Sequence, residues 1–120
     1  MSKVLIIEDS KDLLTLYVRY LKEMGCQITT ATSARQALQS LTEDTPDLIV
    51  MDLTFPDMPT MDFYMELSAN PHFDSIKKIL VSGRDDLQTW MDVFNTAQGL
   101  RKPVQKNDIV KAVSAELNQH

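Results

Sequence analysis

The sequence predicts an α/β domain in which a five-stranded parallel sheet carries helices on both faces. Three observations support this. Short apolar runs recur at Lys3–Ile7, Leu48–Asp52 and 76–81, each bounded by turn-forming residues, as expected of strands buried on both faces. The stretches between them place apolar residues at helical spacing. Strand-like and helix-like segments alternate along the whole chain, and that alternation belongs to a parallel sheet.

The elements follow in order. Lys3–Ile7 (KVLII) is a first strand ending at Glu8-Asp9, with Ser10 as N-cap of a helix carrying Leu13, Leu14, Leu16, Tyr17, Tyr20, Leu21 and Met24. Gly25 is expected to end that helix at its C′ position. Residues 26–31 (CQITTA) form a short β-branched strand, and Ser33 caps a helix carrying Ala34, Ala37, Leu38 and Leu41. After a loop at 42–46 comes the apolar run Leu48-Ile49-Val50-Met51, which leads straight into Asp52. A helix is expected at 61–69, stopped by Asn70-Pro71. A fourth strand at 76–81 ends at Ser82-Gly83, and a helix at 85–97 contains Leu87, Trp90, Met91 and Phe94. Gly99–Arg101 is a very short fifth strand before Lys102-Pro103. Asn107 or Asp108 then caps a last helix with Ile109, Val110, Val113 and Leu117 inward. The pattern is (βα)5 with right-handed crossovers. By analogy with other five-stranded sheets of this kind, the flavodoxin-like order 2-1-3-4-5 is expected.

Length and composition bound the function. The 120 residues suit one domain, and a chain of this size buries roughly two-thirds of its unfolded surface. The formal charge of -5, with no run of basic residues beyond a pair, disfavours non-specific binding to nucleic acid or an anionic membrane. One cysteine, Cys26, excludes an intrachain disulfide and fits a reducing compartment. No signal-peptide pattern is present, and no apolar run approaches the ~20 residues of a membrane helix. A cytoplasmic protein of one domain spanning 1–120, with no output domain, is the expectation.

The distinctive polar residues all fall at one place in their units. Glu8 and Asp9 follow the first strand, Asp52 the third, Ser82 the fourth and Lys102 the fifth. In a parallel sheet these ends share an edge, where open α/β sheets hold ligands. Three carboxylates and an ammonium in one site suit Mg²⁺, a hard cation that takes one or two carboxylates and keeps waters. Asp52 suits an acyl-phosphate nucleophile. Lys102 supplies a compact cation, and Ser82 a hydroxyl that can donate to a phosphoryl oxygen. The two histidines, His72 and His120, have no neighbours at ligand spacing and are expected at the surface. Cys26 is expected to be a small buried hydrophobe. The methionines at 58, 61 and 65 are expected to pack in the core more readily than to form a partner surface.

These four positions in register resemble the receiver domain of two-component response regulators, and the resemblance covers the whole chain. It implies that Asp52 accepts a phosphoryl group from a histidine kinase or a histidine phosphotransfer protein. It implies Mg²⁺ bound by Asp9, Asp52 and the backbone carbonyl of Thr54, with Glu8 acting through water. Ser82 and Lys102 would bind the phosphoryl oxygens, and the Lys102-Pro103 bond would be cis. Such a domain catalyses its own aspartyl phosphorylation and dephosphorylation without being a metabolic enzyme. It signals by docking on a further protein, not on nucleic acid or membrane, as a monomer or weak dimer.

The sequence also departs from the family. Receivers carry Tyr or Phe three residues before the lysine, as a switch that follows the Ser/Thr hydroxyl; here that position is Gly99. The segment from Ser82 to Lys102 is shorter than usual. Thr60 stands where a glycine is customary, and Pro59 is unusual beside it. A readout through Ser82-Gly83-Arg84 into the helix carrying Trp90 is therefore expected. The competing reading is a receiver-like interaction module that signals without phosphorylation or with an atypical switch. A phosphohydrolase is a weaker third, because Thr54 replaces the second acid such enzymes place two residues after the nucleophile.

Overall fold

The computed structural model describes residues 1–118. Five strands, β1 (Lys3–Ile7), β2 (Gln27–Ala31), β3 (Leu48–Asp52), β4 (Lys77–Ser82) and β5 (Gly99–Arg101), form one parallel sheet in the order β2-β1-β3-β4-β5. The expected order is therefore the observed one. Among the described residues six helices surround it: α1 (Lys11–Lys22), α2 (Ala34–Glu43), α3 (Thr60–Ser68), α4 (Pro71–Asp74), α5 (Leu87–Phe94) and α6 (Lys106–Leu117).

Side-chain alternation along the strands divides the core in two. Leu5, Ile7, Ile49, Met51 and Leu80 face α2, α3 and α5, where Phe63, Leu67 and Phe94 meet them. Val4, Ile6, Leu48, Val50, Ile79 and Val81 face α1 and α6, against Tyr17, Leu21, Ile109 and Val113. The central strand β3 is buried at every position, so its whole apolar run is consumed by core and only its last residue, Asp52, is polar.

Local chemistry explains where the boundaries differ from expectation. Helix α1 stops at Lys22, with Glu23 as C-cap, so Met24 lies beyond it; Gly25 turns the chain into β2 at φ 75°. Asn70-Pro71 stops α3 and also starts the unexpected α4. The Asn70 side chain accepts from the His72 N–H, and Pro71 takes the first helical position, where its missing N–H costs nothing. Helix α5 is shorter than 85–97 because Asn95 adopts a left-handed conformation at φ 55°. Neither Asn107 nor Asp108 is the N-cap of α6. Gln105 is, and Asp108 closes a capping box with it.

Two packing expectations fail. Met61 and Met65 are 47% and 59% exposed on α3, and of the three methionines only Met58 packs against the core. Cys26 precedes β2 and is only half-buried, its thiol donating to the Leu21 carbonyl. His72 is exposed, as expected, and His120 lies outside the described residues. Among the described residues no helix is long and apolar enough to cross a membrane.

Candidate functional site: an acidic pocket at the carboxyl edge of the sheet

Parallel register aligns the ends of the strands. Ile7 pairs with Met51, Asp52 with Val81, and Ser82 with Arg101. The residues that follow β1, end β3 and β4 and follow β5 therefore meet at one edge, as the sequence pattern requires.

Glu8 is 1% exposed and Asp52 7%. Asp9 is exposed beside them. One carboxylate oxygen from each of Glu8, Asp9 and Asp52 lies within 4.8 Å of the others. Lys102 reaches across from the far side of the sheet. Its ammonium donates to Glu8 Oε1 at 2.9 Å and to Asp52 Oδ2 at 2.9 Å. The backbone completes the frame: the Ser10 N–H donates to Glu8 Oε2 at 3.2 Å, and the Thr54 N–H to Asp52 Oδ1 at 3.2 Å. The Lys102–Pro103 bond is cis, as expected.

The electrostatics follow from crowding charge in a dry pocket. Burial raises the Glu8 carboxyl to about 7; the hydrogen bond from Lys102 opposes this, while Asp9 and the charge of Asp52 add to it. Burial pulls the Lys102 ammonium down, but its hydrogen bonds to Glu8 and Asp52 outweigh that and hold it above the ordinary lysine value. One cation thus bridges two of the three clustered acids, Glu8 and Asp52. Three carboxylate oxygens at this spacing form a hard, anionic donor set that fits a divalent cation with oxygen preference.

The structure brings Glu8, Asp9, Asp52 and Lys102 together as expected. Ser82 is buried at the same edge, and its carbonyl accepts from the Lys102 N–H at 3.0 Å. Its hydroxyl turns elsewhere, accepting from the Arg84 N–H at 2.9 Å. Thr54 lies next to Asp52, and the contact it makes with that carboxylate is through its N–H.

At Gly99 the structure adds something the sequence did not show. A Cβ built there would lie 3.0 Å from Met91 Cγ and closer still to its sulfur. Met91 of α5 fills the volume that a side chain on residue 99 would need.

Sequence reasoning also missed two polar contacts. Asp57 accepts from the N–H groups of Ala34 and Arg35 at 2.9 Å each and so ties the β3–α3 loop to the start of α2. Arg84 forms an ion pair with Asp86 at 2.7 Å. A basic residue two positions from an acid is too common a pattern to have singled it out.

A doubly wound sheet with three clustered carboxylates and a lysine ammonium at its carboxyl edge defines an α/β domain with an acidic pocket at the switch point. Residues 4–114 match the response regulator receiver domain model, and the chain belongs to that family. It is 27% identical over 117 residues to Protein PilG of Pseudomonas aeruginosa, covering 96% of this chain and 87% of that protein. It is 40% identical over 57 residues to the luminescence regulatory protein LuxO of Vibrio campbellii, but spans only 13% of that protein's length. The chemotaxis response regulator CheY4 of Vibrio cholerae superposes with a TM-score of 0.86 over 97% of this chain and 98% of that one, at 19% identity. That last likeness concerns the fold alone.

Proposed function

We propose that Asp52 accepts a phosphoryl group, in a Mg²⁺-dependent reaction, from a phosphohistidine on a histidine kinase or a histidine phosphotransfer protein. The observation that carries this reading is the Asp52 carboxylate itself, nearly buried at the end of the central strand between a lysine and two further acids. In the reaction an Asp52 oxygen forms the new bond to phosphorus, the bond from phosphorus to the donor breaks, and the donor leaves with the electron pair. Asp9, Asp52 and the Thr54 carbonyl would hold Mg²⁺, with Glu8 through water. When bound, the ion neutralises phosphoryl oxygens and the repulsion among the acids. Lys102 already donates to Asp52 and supports phosphoryl oxygens once the carboxylate carries the phosphoryl group as an acyl phosphate. Ser82 becomes a hydrogen-bond donor to the same group. The phosphorylated domain acts in the cytoplasm by docking on a protein target.

One observation favours an atypical switch within this reading. Position 99 has no side chain, and Met91 occupies its space, so an aromatic switch at that position has no counterpart here. The phosphoacceptor assignment is tested by incubating the protein with acetyl phosphate and Mg²⁺ and measuring intact mass. Wild type is expected to gain one phosphate and Asp52→Asn none. Equal adducts in both would overturn the assignment.

A further inference from the structure

The Ser82 hydroxyl, at the same sheet edge, is engaged elsewhere than with Asp52. It accepts the backbone N–H of Arg84 at 2.9 Å. Arg84 is therefore anchored at its backbone to the residue proposed to meet the phosphoryl group. Its guanidinium is anchored at the same time to two other parts of the molecule. Nη1 lies 3.5 Å from the Leu53 carbonyl and 3.4 Å from Thr60 Oγ1, both on the segment that follows Asp52. Nη2 donates to Asp86 Oδ2 at 2.7 Å. That same carboxylate oxygen accepts the indole N–H of Trp90, on α5, at 3.0 Å. The Arg84 carbonyl in turn accepts from Arg101 at 3.1 Å.

We infer that Arg84 is the positioning residue that couples occupancy at Asp52 to α5, through the chain Ser82 hydroxyl, Arg84, Asp86 carboxylate and Trp90 indole. The inference rests on the reading of Asp52 as phosphoacceptor and Ser82 as the hydroxyl that meets the phosphoryl group. When Ser82 turns its hydroxyl toward a phosphoryl oxygen, the acceptor held by the Arg84 N–H moves. The backbone of Arg84 follows, with Gly83 before it free of side-chain constraint. The planar guanidinium forks to Leu53, Thr60 and Asp86 in one fixed geometry, so it transmits a displacement instead of absorbing it. Asp86 passes this to the indole N–H. Trp90 lines a cleft with Met58, Pro59 and Met61, so the output is a change in the wall of that cleft. This supplies a side-chain route from Ser82 that makes no use of residue 99, where Met91 has filled the space.

Trp90 is the only tryptophan in the chain, so its indole N–H gives a single, unambiguous NMR cross-peak. The probe is beryllofluoride with Mg²⁺, and occupancy is read independently from the backbone amides of 52–54. In wild type the probe is expected to shift both the 52–54 amides and the Trp90 indole peak. In Arg84→Ala the 52–54 amides still shift, but most of the indole response is lost. Arg84→Lys, which keeps the charge without the fork, also loses most of it. Asp86→Ala leaves occupancy intact and uncouples the indole in the same way. If the 52–54 amides of wild type do not respond, the proposed function falls and the inference with it. If they respond while the indole stays still, or if the indole moves equally in wild type, Arg84→Ala and Asp86→Ala, the inference alone is overturned.

Discussion

Lys78 and Lys102 are lysines withdrawn from water at opposite edges of one sheet, and the fold treats them differently. Lys78, at the amino end of β4, is 6% exposed and donates to the carbonyls of Phe73, Asp74 and Ile76 at 3.3, 3.0 and 2.6 Å. An ammonium has three donors, and here all three meet neutral backbone carbonyls of α4 and the turn after it. Burial lowers its pKa, only partly opposed by Asp74. Lys102, beyond the carboxyl end of β5, is less buried and faces two carboxylates, which raise its pKa. Lys78 closes a local structure and leaves nothing for a ligand. Lys102 is one cation shared among acids that exceed it in number. Burial of a charge therefore does not distinguish the two edges; an unbalanced charge does.

The largest effect on stability should come from the saturated lysine. Lys78→Ala removes the charged donor to three carbonyls, of which that of Phe73 keeps the Ile76 N–H, and deletes a packed stem, at a cost of roughly 3 kcal/mol. Urea denaturation should show this loss with the stabilisation by Mg²⁺ unchanged. A variant that lost its Mg²⁺ response would break the distinction between the two edges.

Lys102→Ala should cost less without metal, about 2 kcal/mol, because solvent reaches part of the side chain and relaxes the acids left behind. Mg²⁺ should then stabilise this variant at least as much as wild type. If Mg²⁺ stabilised it less, Lys102 would be part of the cation site and not a counter-charge to it.

Glu8 gives a pH signature. Its folded pKa, about 7, lies above its ordinary value of 4.5. The preference of the folded state for the proton is fully present below 4.5 and is lost as pH rises through 7. In metal-free protein, wild type should therefore lose stability relative to Glu8→Gln as pH rises between those limits. A difference between the two that stayed flat with pH would contradict the assigned burial cost.

The smallest expected effect is at Gly99. Gly99→Ala should destabilise by about 1 kcal/mol through overpacking against Met91. The same change made in a Met91→Ala background should cost nothing or stabilise, a non-additivity readable in a double-mutant cycle. Strict additivity would mean that the contact is not what excludes a side chain there.

Much of this was legible in the sequence because parallel sheets turn linear position into spatial position. Glu8, Asp9, Asp52, Ser82 and Lys102 each end or follow a strand, so locating the strands was enough to gather them. Buried runs such as Leu48–Asp52 are long and apolar enough to place without structure. Less legible were features set by single hydrogen bonds. Asn95 in a left-handed turn shortens α5, Gln105 rather than an acid begins α6, and Pro71 starts a helix as well as ending one. The exposed Met61 and Met65 share a spacing that suits a buried stripe equally well. Met91 over Gly99, Asp57 on α2, and Arg84 between Ser82 and Asp86 are tertiary contacts, and no local pattern announces them.

The central claim is that the unbalanced edge exists to phosphorylate Asp52. Its most direct test locates the phosphate on the chain. The protein is treated with acetyl phosphate and Mg²⁺, the acyl phosphate is reduced with borohydride to the alcohol, and the digest is mapped by mass spectrometry. The account predicts conversion at Asp52 alone, dependent on Mg²⁺ and strongly reduced by chelation. Conversion at Asp9 or elsewhere, or labelling indifferent to Mg²⁺, would contradict it.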